Sequence, residues 1–125
     1  MSFIDNRRDI EISLLAITTS GALVQPITVK QIVSSTLIDI ELPILTGTAV
    51  ASDNIVLSGF RRPVNIQEDF IHVVDGNNLR IGQAQLTTSG VVTISSVAAN
   101  GRPTTFSINQ SAGWETLQLL SFALV

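Results

Sequence analysis

The chain has 125 residues, with ten acidic and seven basic side chains, a net charge of −3 and a pI near 4.8. That is the length of one ordinary domain, enough for one core without covalent staples; the absence of Cys excludes disulfides and thiolate metal sites. The acidic balance argues against a nucleic-acid partner, and neither a membrane-spanning apolar run nor a signal peptide in Met1-Ser2-Phe3-Ile4-Asp5-Asn6-Arg7-Arg8 is readable.

Helical periodicity is scarce. Residues 29–40 can be drawn as a helix, but Val33-Ser34-Ser35-Thr36 is a poor helix former. β-Branched residues with turn signals at short spacing dominate, which predicts an all-β fold: a single antiparallel β-sandwich, jelly-roll-like, over residues 1–125. The first strand is expected over 10–18, ending at Ser20-Gly21, and the second over 22–30, where Pro26 calls for an edge or a bulge. A third strand covers 35–42 and stops at Pro43. Thr46-Gly47-Thr48 and Ser52-Asp53-Asn54 read as loops, followed by a short strand over 55–57 and the turn Ser58-Gly59-Phe60-Arg61-Arg62-Pro63. The next strand, 69–74, enters the hairpin turn Asp75-Gly76-Asn77-Asn78 and returns over 79–87. After Thr88-Ser89-Gly90 come strands over 91–96, 104–108 and 115–125, with a turn at Asn100-Gly101. Three hairpin-linked strands in a row make a meander or part of a Greek key. Residues 12–23 echo residues 81–92 through Thr-Thr-Ser-Gly, which reads as one good hairpin used twice.

The last predicted strand is apolar on both faces. Leu120, Phe122 and Leu124 point one way, and Leu117, Leu119, Ala123 and Val125 the other. A small sandwich covers only one face of a strand, so the second face implies cover by further copies of the chain. Composition agrees: hydrophobic residues make up 45% and charged residues 14%, against a usual ~25% charged. Ser and Thr, a fifth of the chain, supply most of the remaining polarity.

Catalytic patterns are missing. His72, the single histidine, sits in Phe70-Ile71-His72-Val73-Val74 and reads as a half-buried strand residue or a subunit contact, where it would make assembly respond to pH. Glu68 and Asp69 are adjacent and point to opposite faces, whereas Asp39 and Glu41 share one, a spacing that permits glycosidase-like pairing but more simply makes a polar strand face. Asp75-Gly76-Asn77-Asn78 offers oxygens suited to calcium without the rest of a loop site, so it reads as a plain turn. Trp114, the single tryptophan, reads as a core or interface anchor before a sugar platform. Arg61 and Arg62 read as a solvated turn or as salt bridges to a neighbouring subunit, with an acidic partner as the alternative. Asn109-Gln110-Ser111 has glycosylation spacing, relevant only to a secreted eukaryotic protein. The expectation is a protein without enzymatic activity, cofactor or metal.

From about residue 54 to 125 the order of motifs is more telling. Leu57-Ser58-Gly59-Phe60-Arg61-Arg62-Pro63 precedes the Asp-Gly-Asn-Asn hairpin, then Ala84-Gln85-Leu86-Thr87-Thr88-Ser89-Gly90-Val91-Val92, Gly113-Trp114-Glu115-Thr116-Leu117 and Leu120-Ser121-Phe122-Ala123-Leu124. This resembles the head domains of bacteriophage tail-fibre and baseplate receptor-binding proteins, broadly similar to C1q and tumour-necrosis-factor jelly rolls. Ser58 stands where proline is common, and Arg62 adds a residue before Pro63. The resemblance implies a homotrimer on a virion, attached to capsid, tail or baseplate proteins and facing a host-surface glycan. In that trimer Trp114, Leu120, Phe122, Leu124, Val125 and His72 are the core or interface candidates, and Gly59, Phe60, Arg61, Arg62 and Pro63 the partner-contact candidates. No heptads precede the domain, so residues 1–50 are expected to dock the particle themselves, as in a capsid-decorating protein. The alternative function is a soluble carbohydrate-binding module.

Overall fold

Alternation decides the architecture. In Pro26–Val33 the side chains of Ile27, Val29 and Val33 are buried while Thr28 and Lys30 turn away, and in Leu37–Leu42 the buried set is Ile38, Ile40 and Leu42. The computed structural model describes residues 10–125; the segment 1–8, read above for a signal peptide, lies outside the described residues.

The strands are β1 (Glu11–Thr18), β2 (Ser20–Gly21), β3 (Pro26–Val33), β4 (Leu37–Leu42), β5 (Leu45–Thr48) and β6 (Ile55–Ser58). They continue as β7 (Gln67–Asp75), β8 (Asn78–Leu86), β9 (Val91–Val97), β10 (Pro103–Thr104), β11 (Ser111–Trp114) and β12 (Gln118–Ala123), with no helix among the described residues. All pairings are antiparallel. They build a four-stranded sheet, order β1-β3-β4-β12, and an eight-stranded sheet, order β2-β6-β9-β8-β7-β11-β5 with β10 beside β9. The inner faces of both sheets share one apolar cluster that runs from Ala22 to Leu124. The all-β sandwich expected from the sequence is the fold observed. β1, β3 and β4, all before residue 50, supply three of the four strands of the smaller sheet and are integral to the sandwich.

Several local readings are corrected. The second strand begins at Pro26, not Ala22: Pro26 pairs with Thr18 at the very end of the ladder, where a missing N–H is harmless. Ala22 and Leu23 bury in the core instead, and the Thr19 hydroxyl closes the connection, donating to the Leu23 carbonyl at 2.8 Å and accepting from the Gln25 N–H at 3.0 Å. The Thr-Thr-Ser-Gly echo is not one hairpin used twice. At 87–90 it joins the paired strands β8 and β9, whereas at 18–21 it carries the chain from the smaller sheet to the larger. Thr46-Gly47-Thr48 is strand, not loop, paired with β11. Residues 104–108 hold a strand only at their start; Phe106 leaves the ladder to fill the core, with its N–H on the Asp53 carbonyl at 2.9 Å.

The largest correction concerns residues 115–125. Within them the strand is Gln118–Ala123 alone, and the unassigned stretch just before them, Ser111–Trp114, is a strand of its own. β11 belongs to the larger sheet and β12 to the smaller, so the chain crosses the sandwich at 115–117. Trp114, at 0% exposure, ends β11 as a core anchor, and its indole N–H donates to the Pro43 carbonyl at 2.7 Å. Gly113 permits that placement: its φ is +112°, and a Cβ there would run into the Leu45 carbonyl. Gly113→Ala is expected to lower stability by about 1–3 kcal/mol. A urea unfolding midpoint equal to wild type would contradict this backbone assignment.

Candidate functional site

Side chains directly across an antiparallel ladder share a face, so the register fixes the outer surface of the smaller sheet row by row. One row is Ile12, Ile32, Asp39 and Ser121; the next is Leu14, Lys30, Glu41 and Leu119; Leu37 faces Ala123. The polar members satisfy one another in the middle of the face. Lys30 pairs with Glu41 at 3.5 Å, and the Ser121 hydroxyl donates to Asp39 at 2.7 Å. The pairing that would make Asp39 and Glu41 a glycosidase-like couple is therefore replaced by two separate local contacts. A recess of about 330 Å³ lies on this face among Ile32, Asp39, Glu41, Leu119 and Ser121.

β12 is two-sided in the way the sequence predicts. Leu120, Phe122 and Leu124 are buried in the core, while Leu117, Leu119 (66% exposed) and Val125 (73%) face outward and Ala123 is half-buried. One consequence corrects an expectation: Trp114, Leu120, Phe122 and Leu124 are spent within the chain's own core. Only Val125 of the apolar C-terminal candidates, with the exposed Leu117 and Leu119 of the same segment, remains for a contact with another copy.

Sequence reasoning missed how the edge of β12 is closed. Asp69 of β7 accepts the Ser121 N–H at 2.9 Å, and Gln118 of β12 accepts the His72 N–H at 3.0 Å. Gln118 is held in place by its own amide, which donates to the Thr116 carbonyl at 3.1 Å and hydroxyl at 2.9 Å. Side chains thus clasp two strands of different sheets that share no backbone ladder. The signal was a glutamine in register with Leu120, Phe122 and Leu124: a polar residue at a core position must find partners.

His72 is exposed rather than half-buried. It lies on the outer face of the larger sheet opposite Ile81 and lines a recess of about 330 Å³ with Leu79, Arg80, Ile81, Glu115 and Thr116. The Arg80 Nε at this place is buried and has no hydrogen-bond partner among the described residues. Phe70, two residues along β7, is also exposed.

In the turn after β6, Phe60 and Pro63 are buried while Gly59, Arg61 and Arg62 are exposed. The Phe60 N–H donates to the Gly90 carbonyl at 3.1 Å. Arg61 does not await a neighbouring subunit: its guanidinium meets Glu11 of β1 at 2.9 Å and its N–H donates to Gln31 of β3 at 2.9 Å. Gln31 in turn donates to the Ser13 hydroxyl at 3.2 Å. An exposed ion pair of this kind adds little stability; the buried Gln31 fixes the turn. At the β7–β8 hairpin, Gly76 holds φ +65° at the first central position, as a type II′ turn requires.

Among the described residues no three His, Cys, Asp or Glu side chains converge as a metal site, and no helix is long and apolar enough to cross a membrane. No described protein family matches the chain, and no curated protein is detectably similar to it.

Asp69→Ala is expected to cost about 1 kcal/mol and to speed hydrogen exchange at the Ser121 amide, because that N–H loses its acceptor. Glu68→Ala, one residue away on the opposite face, is the control. Equal exchange at Ser121 in both variants would contradict the clasp.

Proposed function

We propose that this chain is a non-enzymatic structural subunit of a phage-like virion, a trimeric head or capsid-decorating protein that attaches or stabilises the particle. The observation that carries the reading is the outward row of the final strand. Leu119 is solvent-exposed on that face with Leu37 on the neighbouring strand, Leu117 and Val125 are exposed just before and just after β12, and the face also carries the Lys30–Glu41 ion pair and the Ser121–Asp39 hydrogen bond. Each large apolar side chain fully buried there gains roughly 1.5–3 kcal/mol, offset by the cost of dehydrating Lys30, Glu41 and Asp39. Copies of the chain meeting there make a subunit contact that relies on few charges.

The motif order across residues 54–125 supports placing that subunit on a phage particle. The turn Gly59–Pro63, where Arg62 is outward while Arg61 is held by Glu11, and the exposed Phe70, Leu79 and Ile81 on the opposite sheet are surfaces left for other virion proteins. The carbohydrate-binding alternative is the weaker one, because Trp114, its aromatic platform, is enclosed and its N–H is taken by Pro43.

A test leaves the core untouched. Wild-type protein is expected to sediment with a mass that is a multiple of three subunits, and Leu119→Glu to lose the three-fold species with an unchanged far-UV spectrum. A folded Leu119→Glu protein of wild-type mass would overturn this contact.

A further inference from the structure

Sheet edges present rows of unpaired N–H and C=O groups, and proteins guard them with short strands, charges, proline or cover. The edges of this sandwich are guarded unequally. In the larger sheet the terminal strands β2 and β5 have two and four residues. In the smaller sheet β12 is clasped to β7 through Asp69 and Gln118. Among the described residues β1 has no such device. All eight of its residues pair with β3 on one side, and among the described residues no strand pairs with it on the other. It contains no Pro, Lys or Arg, and its single charge, Glu11, is already held by Arg61. Ile12 and Leu14 are 63% and 70% exposed on its outer face.

We propose that β1 pairs antiparallel with β1 of a second copy about a two-fold axis, joining two smaller sheets into one continuous sheet. The occupant follows from self-complementarity. Opposed residues must share a face, so a two-fold ladder has to be centred on a residue rather than between two. Centred on Leu14, it sets Leu14 against its counterpart and Ile12 against Ala16 on the outer face, and Ser13 against Leu15 on the inner. Glu11 falls opposite Ile17, so no like charges meet. This contact lies at the opposite end of the sheet from β12 and is independent of the three-fold contact proposed above.

The absence of cysteine makes the test direct. Across such a ladder the two Cβ atoms at position 14 stand about 4.5–5.5 Å apart, close enough for a disulfide after small adjustment. Leu14→Cys is expected to cross-link into dimers at least about tenfold faster than Val50→Cys, an exposed loop control, because pairing raises the effective thiol concentration. In a Leu119→Glu background the protein is expected to sediment as a dimer, and adding Leu14→Lys to give a folded monomer. Equal cross-linking rates for the two cysteine variants, or a monomer in the Leu119→Glu protein with β1 intact, would overturn the two-fold contact while leaving the three-fold reading standing.

Discussion

A sandwich of two sheets has one interior and two outer faces, and a strand cannot hide both of its rows in that interior. The structure follows from how this chain meets that constraint. β12 gives Leu120 and Phe122 to the core and leaves Leu119 outside. Its neighbours on the outer face are not charges awaiting water but a closed pair, Lys30 with Glu41, and a closed hydrogen bond, Ser121 to Asp39. Apolar side chains and internally bonded polar ones are mixed on that surface. A composition with 14% charged residues has the same meaning at the level of the whole chain.

Closure of the sandwich depends on polar side chains at positions where alternation alone would place aliphatic ones. Gln118 and Asp69 join β12 to β7 where the two sheets cannot continue a common ladder, and Gln31 anchors the Arg61 turn against β3. Gln118 and Gln31 occupy buried sites where an unsatisfied amide would be costly, Asp69 is half-buried, and all three are bonded. The same logic separates the two ends of the smaller sheet: one edge is sealed by these contacts, and the other, β1, has no second strand beside it among the described residues.

Much of the fold was legible because period-two alternation and turn chemistry are local. The hairpin at Asp75-Gly76-Asn77-Asn78, the strands on either side of it, and the grouping of Leu120, Phe122 and Leu124 on one side of the last strand could be read directly. What failed depended on tertiary partners. Thr46-Gly47-Thr48 has loop composition and becomes strand because β11 lies beside it. The break between Trp114 and Gln118 falls at Glu115-Thr116-Leu117, which holds no Gly or Pro, and its one local sign was Gly113, whose positive φ lets the backbone press against Leu45. Arg61 was left without an address because its partner, Glu11, is fifty residues earlier. The surface reading of the candidate site was half legible: the sequence shows that β12 is apolar on both sides, but only packing shows that Phe122 and Leu124 are taken by the core.

The central claim is that the outward apolar row of β12 is shielded by copies of the same chain. Native mass spectrometry of the untagged protein at low micromolar concentration tests it most directly. A mass that is a multiple of three 13.4 kDa subunits is the predicted result; a stable, folded species at the mass of a single chain would contradict it.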